Sequence, residues 1–258
     1  MDPAARGAGR VSDALAFSPA ANPDAYVPWT GAEQAFEALT RWASESGAPV
    51  CLVAGPPGMG KTLLLKRLAA QAAASLRAVR ISYPDCDVEA LRGFLRESLE
   101  GAPPCDSDDA LIAAAPGAGF LLLLDEGELL PDATAQWLRE LAERAAGRLR
   151  IAVAVTRDER CAELAARFGD ACEVVRLAGA MSRADVEAHV RAELERAGVD
   201  PGLRARFDAA AIDELHARSE GVPALVQTLA SARLFEAQRA GELAARRPPR
   251  LARRAPVA

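Results

Sequence analysis

Apolar positions along the chain follow two different rhythms. Over 31–46, Ala35, Phe36, Leu39 and Trp42 recur at helical spacing and predict an amphipathic helix. Short, mostly apolar segments of strand length then appear at 49–54, 78–82, 119–124, 149–155 and 174–177. The run Gly119-Phe120-Leu121-Leu122-Leu123-Leu124 has no polar alternation, as expected of a strand buried on both faces. Between the runs lie segments of helical composition: 62–74, 88–99 (closed by Gly101 and Pro103-Pro104), 109–115, 133–146 with Asp132 as its expected cap, and 161–168. Strands alternating with helices predict an α/β fold, a parallel sheet with helices on both faces.

After residue 177 the strand rhythm stops. Ser182-Arg183-Ala184-Asp185 reads as a capping box opening a helix over 186–197. Asp208 is placed to cap 209–219, Gly221 to stop it, and Pro223 to begin a third helix reaching about residue 241. The expected organisation is a disordered N-terminus (1–16), an α/β core (17–178), a small all-helical unit (179–242) and an arginine- and proline-rich tail (243–258). The proline-punctuated stretch 11–28 is expected to run over the surface.

Composition narrows the class without deciding it. With 258 residues, 50% hydrophobic and 26% charged, the chain has the make-up of a soluble globular protein. The net charge of −5 offers no general attraction to nucleic acid or anionic membrane. Five arginines and no acid lie in 246–258, which leaves the rest near −10. Such a tail can touch an acidic partner or nucleic acid, although solvation is its ordinary fate. The five cysteines are scattered, with no C-x-x-C pair, so neither a disulfide framework nor a zinc site is expected. With no apolar signal core and no run of spanning length, the expected compartment is the cytoplasm. His189 and His216 are expected on helix surfaces, and Trp29, Trp42 and Trp137 in packing positions.

The chemistry is concentrated in Gly55-Pro56-Pro57-Gly58-Met59-Gly60-Lys61-Thr62, which fits the phosphate-binding pattern G-x-x-x-x-G-K-[ST]. The glycines let consecutive N–H groups turn toward one centre, Lys61 brings a compact charge to the β- and γ-phosphates, and the Thr62 hydroxyl can ligate Mg²⁺. A strand precedes this loop and a helix follows, as the motif requires, so Gly55 through Leu63 are expected to line a nucleotide. A random chain of this length would show the pattern on the order of once in a hundred. Lys61 and Lys66 are the only lysines in an arginine-rich chain, and an ammonium is not interchangeable with a guanidinium at a phosphate.

Leu124-Asp125-Glu126 ends the most apolar strand with two acids, roughly 60 residues after the loop, the Walker B arrangement. Asp125 is expected to support the metal and Glu126 to orient the attacking water, a division of labour that Mg·ATP hydrolysis requires.

Together these features resemble the AAA+ ATPases, and most closely their ExeA-like branch, the ATPase module of general secretion pathway protein A, with TniB-like transposition ATPases related. Phe17-Ser18-Pro19-Ala20-Ala21-Asn22-Pro23 is similar to that branch's entry segment, and Leu123 to Leu130 to its "IDEAQNL" stretch. The segment 177–186 resembles its "L.PLS..E" junction, and Ser219-Glu220-Gly221-Val222-Pro223 its "S.GIPR" motif. The resemblance implies a P-loop core followed by a helical lid, and self-assembly of the chain into a homo-oligomer that acts on a protein partner.

It also implies further site residues. The sensor 1 position falls at Thr156 or Arg157, and Arg167, with Arg160 behind it, corresponds to an arginine finger acting in trans. Where the branch carries a lid arginine called sensor 2, this chain has Ala224, which predicts weakened hydrolysis or coupling; Arg157 could replace part of that charge. The secretion proteins continue into a membrane span, whereas this chain ends in the arginine–proline tail, so the secretion role is not carried over. The expected activity is ATP hydrolysis driving change in a macromolecular partner. The alternatives are a slow ATP-dependent switch or a DNA-associated helper; a small-molecule kinase stands further off.

Overall fold

The computed structural model describes residues 16–17, 22–45, 47–72, 76–99, 107–114 and 119–245. The expectations for 1–15 and 246–258, for Gly101, Pro103 and Pro104, and for Ser18 to Ala21 lie outside these residues.

The described residues form a five-stranded parallel sheet in the order β2-β3-β4-β1-β5. Its strands are β1 (Val50–Ala54), β2 (Arg77–Ile81), β3 (Phe120–Leu124), β4 (Leu149–Val155) and β5 (Cys172–Arg176). The central strands β1, β3 and β4 are buried at every position, which is why their sequences, Arg150 of β4 apart, are apolar. The edge strands β2 and β5 are only partly buried and carry Arg77, Arg80, Glu173 and Arg176.

Alternate strand residues feed two apolar layers. Val50, Leu52, Leu122, Leu124, Ile151 and Val153 face α3 (Val88–Ser98), α5 (Asp132–Arg144) and α6 (Asp158–Phe168), with α4 (Asp108–Ala114) beside them. Cys51, Val53, Leu121, Leu123, Ala152 and Ala154 face α1 (Thr30–Ser44) and α2 (Lys61–Ala72). The second layer continues without a break into the C-terminal helices α7 (Arg183–Arg196), α9 (Ala209–Ser219) and α10 (Pro223–Ala245), with the short α8 (Pro201–Arg204) between. Val190, Leu194, Leu215, Val226 and Ala230 carry it there. Burying each such side chain contributes about 1.5–3 kcal/mol, so the lid helices and the sheet are held by one core.

Several local expectations need correction. Asp132 does not cap α5; Pro131 takes that position, and the Asp132 carboxylate instead binds Arg160 and Arg167. Helix α6 begins at Asp158, a turn before the expected start, and α10 extends to Ala245, into the segment assigned to the tail. The stretch 11–28 does not simply run over the surface: Ala16 and Phe17 are buried, and the Phe17 ring lies 6.1 Å from that of Phe207. His189 is buried, not on the helix surface. Trp29, Trp42 and Trp137 are all buried.

The entry segment is fastened to α2 by one arginine. The Arg67 guanidinium lies 3.7 Å from the centre of the Tyr26 ring and 3.8 Å from that of Phe36, and pairs with Glu33 at 2.9 Å. Glu33 also accepts the Tyr26 hydroxyl proton at 2.6 Å. This clamp ties Tyr26 to α1 and α2. Among the described residues no helix is long and apolar enough to cross a membrane.

Candidate functional site

Strand order determines which loops meet. At the C-terminal edge of the sheet β4 lies between β3 and β1, so the loop after β1 and the acids after β3 flank the end of β4. Ligand sites of open parallel sheets form at this edge. A cavity of about 900 Å³ opens there, walled by the entry segment, the phosphate-loop segment, the strand ends and the lid helices.

The loop 55–60 runs from β1 into the first turn of α2. Its Gly55 N–H donates to the Val155 carbonyl at 3.2 Å, which ties it to β4. Gly58 has φ +78 and Gly60 φ +99, conformations that favour glycine. Lys61 is only 8% exposed, and its ammonium donates to the carbonyls of Gly55 at 2.7 Å and Pro56 at 3.0 Å. Burial pushes the lysine's protonation below its ordinary range, and Glu128, Glu126 and Asp125 oppose that shift. Pro57 through Leu63 line the cavity, while Gly55 and Pro56 serve it as acceptors for Lys61.

Asp125 follows β3, is 7% exposed, and is anchored by its N–H to the Ile81 carbonyl at 2.9 Å. Glu126 sits in the left-handed region at φ 50, ψ 52, with an exposed side chain. Both line the cavity, as do Thr62, Thr156 and Arg157. The structure therefore brings together Gly58, Met59, Gly60, Lys61, Thr62, Asp125, Glu126, Thr156 and Arg157. A buried carboxylate and a hydroxyl are hard oxygen donors that fit Mg²⁺, so Thr62 and Asp125 suit that ion.

Arg167 stands apart. Its guanidinium donates to Asp132 at 2.6 Å, and Arg160 donates to the same carboxylate at 3.0 Å, away from the residues that line the cavity.

The lid closes the site through backbone. Ala224, at the start of α10, donates its N–H to the Gly58 carbonyl at 3.1 Å. The contact is tight: a Cβ on residue 58 would lie 3.0 Å from the Ala224 Cβ.

Several cavity residues escaped the sequence reading, charged ones and a histidine among them. His189, Glu193 and Arg196 come from α7, where a mixed polar face gave no signal of direction. Glu193 is buried, pairs with Arg196, and accepts the Phe17 N–H at 3.3 Å. Glu128 belonged to an acidic turn that solvent alone would explain. Its carboxylate instead accepts N–H bonds from Arg157 at 2.9 Å and from Thr156. Burial works to raise the Glu128 carboxyl, but the N–H groups of Arg157, Thr156 and Glu128 itself, with the charge of Lys61, together hold it below the usual range.

A family model described as an AAA domain matches residues 44–160. No curated protein sequence matches the chain. Among solved structures, domain III of the replication initiation protein DnaA from Thermotoga maritima superposes with a TM-score of 0.57 at 16% identity, covering 87% of this chain and 92% of that one. The Thermotoga maritima RuvB Holliday junction branch migration motor superposes with a TM-score of 0.53 at 20% identity, covering 81% of this chain and 66% of that one. The fold is thus the P-loop AAA+ fold, with a helical C-terminal region, and these matches support an AAA+ P-loop ATPase.

Proposed function

We propose that the chain binds Mg·ATP and hydrolyses it, using turnover to drive a change in a macromolecular partner. The observation that carries this reading is the single cavity in which Lys61, Thr62, Asp125 and Glu126 converge beneath the lid. Phosphoryl transfer depends on positioning and charge stabilisation more than on covalent chemistry, and these residues supply both. Lys61 and the loop N–H groups hold the phosphates. Thr62 and Asp125 hold Mg²⁺, which would neutralise charge developing on the β- and γ-oxygens. Glu126 orients the attacking water, and Thr156 and Arg157 border the place where the γ-phosphate ends. The unit 17–178 acts as the catalytic core and 179–242 as its lid.

Arg167 completes the site of a neighbouring copy in a homo-oligomer; its pairing with Asp132 ties it to the start of α5. The setting is cytoplasmic, and the partner is a protein. The DnaA and RuvB neighbours are a replication initiation protein and a branch migration motor. A DNA-linked role for this chain would rest on fold likeness alone, and its net charge of −5 opposes it. The ExeA-like branch remains our assignment from the motifs quoted above.

A second reading is favoured by one contact. At the lid position of Ala224 the P-loop meets a backbone N–H and no cation, which suits a slowly hydrolysing switch. Steady-state ATP hydrolysis against protein concentration, for wild type and Glu126→Gln, separates the two. The ATPase reading expects specific activity that rises with concentration and falls about 10²–10⁴-fold in the variant, with ATP still bound. ATP binding without turnover in the wild type would support the switch.

A further inference from the structure

The cavity has two ends, and the sheet order separates them. Asp125, Glu126, Thr156 and Arg157 follow β3 and β4, on one side of β1. Strand β5 lies on the other side, and the chain leaves it through Leu177 and Ala178 toward the lid. That junction packs closely on its neighbours. A Cβ on Gly55 would lie 2.7 Å from the Leu177 carbonyl oxygen, and one on Gly31, in the first turn of α1, 2.3 Å from that of Ala178. The entry segment and the root of the lid therefore meet on the β5 side, away from the acids.

A nucleotide whose phosphates lie on Lys61, with the γ-phosphate toward Asp125 and Glu126, sends its base to this second end. Tyr26, Val27, Trp29 and Met181 line it and suit a flat ring. Its charged side chains are Glu193 and Arg196, one turn apart on α7. Glu193 is buried with both oxygens engaged, Oε2 by the Phe17 N–H at 3.3 Å and Oε1 by Arg196. Both ring nitrogens of His189 are buried as well. The Arg196 side chain differs. It is 39% exposed, and its bond to Glu193 uses one nitrogen, Nη1. A guanidinium has five N–H donors and no acceptor, so this end offers a base a donor fork, held from behind by Glu193.

We propose that Arg196 reads the base of the bound nucleotide, and that the site takes guanine nucleotides as well as adenine ones. A donor fork needs acceptors. Guanine presents N7 and O6 side by side, whereas adenine presents N7 beside an amino donor. The fork meets two acceptors on guanine and one on adenine, so it does not turn guanine away.

The inference rests on the nucleotide-binding reading above and widens its substrate class. Calorimetric titrations with ADP, GDP and inorganic tripolyphosphate, together with thermal melting, test it on wild type, Arg196→Gln and Arg196→Ala. We expect wild type to bind GDP within about tenfold of ADP. A glutamine amide pairs one donor with one acceptor, the pattern that matches adenine, so Arg196→Gln should shift the GDP-to-ADP affinity ratio about tenfold toward ADP. Arg196→Ala should weaken both nucleotides, and both variants should bind tripolyphosphate as wild type does. A wild type that binds ADP and refuses GDP overturns the inference, as does an unchanged ratio in Arg196→Gln. A matching loss of tripolyphosphate affinity would put Arg196 on the phosphates, and a loss of melting temperature and of both nucleotides at fixed ratio would mark a structural role; either result overturns it too. Wild type that binds none of the three would defeat the nucleotide reading itself, an outcome distinct from the others.

Discussion

His189 occupies an uncomfortable place. It is 8% exposed, it lines the nucleotide-sized cavity, and among the described residues neither ring nitrogen has a hydrogen-bond partner. Burial pushes its protonation below the ordinary 6.5; Glu193, one turn along, pulls it up and Arg196 pushes it down. The unfolded chain therefore takes up this proton before the folded one. The stability that neutral His189 permits is complete above about pH 6.5 and declines as the pH falls toward the folded value. Urea midpoints should drop between about pH 7.5 and 5.5, and His189→Gln should flatten that drop. Parallel pH profiles would show that other groups carry the effect. Residues such as Lys61, Thr62, Asp125 and Glu126 were legible in the sequence because phosphate chemistry fixes their types and spacing. His189, Glu193 and Glu128 were not, because what brings them to the cavity is packing between elements distant along the chain.

At the scale of elements, the short runs gave every described strand to within about two residues, most plainly the three central ones, since a doubly buried strand is written in apolar residues. Ends were less legible where the competing signal was tertiary. Asp132 looks like a cap, yet two arginines on α6 claim its carboxylate. The capping box of α7 was legible because it is local: Ser182 Oγ accepts the Asp185 N–H at 3.1 Å, and Asp185 accepts the Ser182 N–H at 2.8 Å. Ser182→Ala should therefore cost about 1 kcal/mol in a denaturant titration. Because α7 shares its core with the sheet, the loss should appear as one cooperative transition moved to lower denaturant. A separate early transition would mean that the lid unfolds independently.

For the whole molecule, alternation of strands and helices implied a parallel sheet, but the order β2-β3-β4-β1-β5 was not legible, because apolar runs do not name their neighbours. Arg167 and Arg160, on α6, turn to Asp132 at the start of α5 and do not line their own cavity. A role for Arg167 in catalysis therefore requires a second copy. Glu126→Gln and Arg167→Ala should each be inactive alone, and mixing them should restore part of the turnover, since some interfaces then pair an intact Glu126 with an intact Arg167. A mixture as silent as its components would confine Arg167 to its bond with Asp132.

The lid meets the phosphate loop through the N–H of Ala224 and the carbonyl of Gly58. Both groups belong to the main chain, so point mutation at residue 224 changes the side chain and leaves the donor in place. Proline alone would remove it. A lid latch of this kind is shielded from sequence drift at position 224, and the identity of that residue is free to follow other demands.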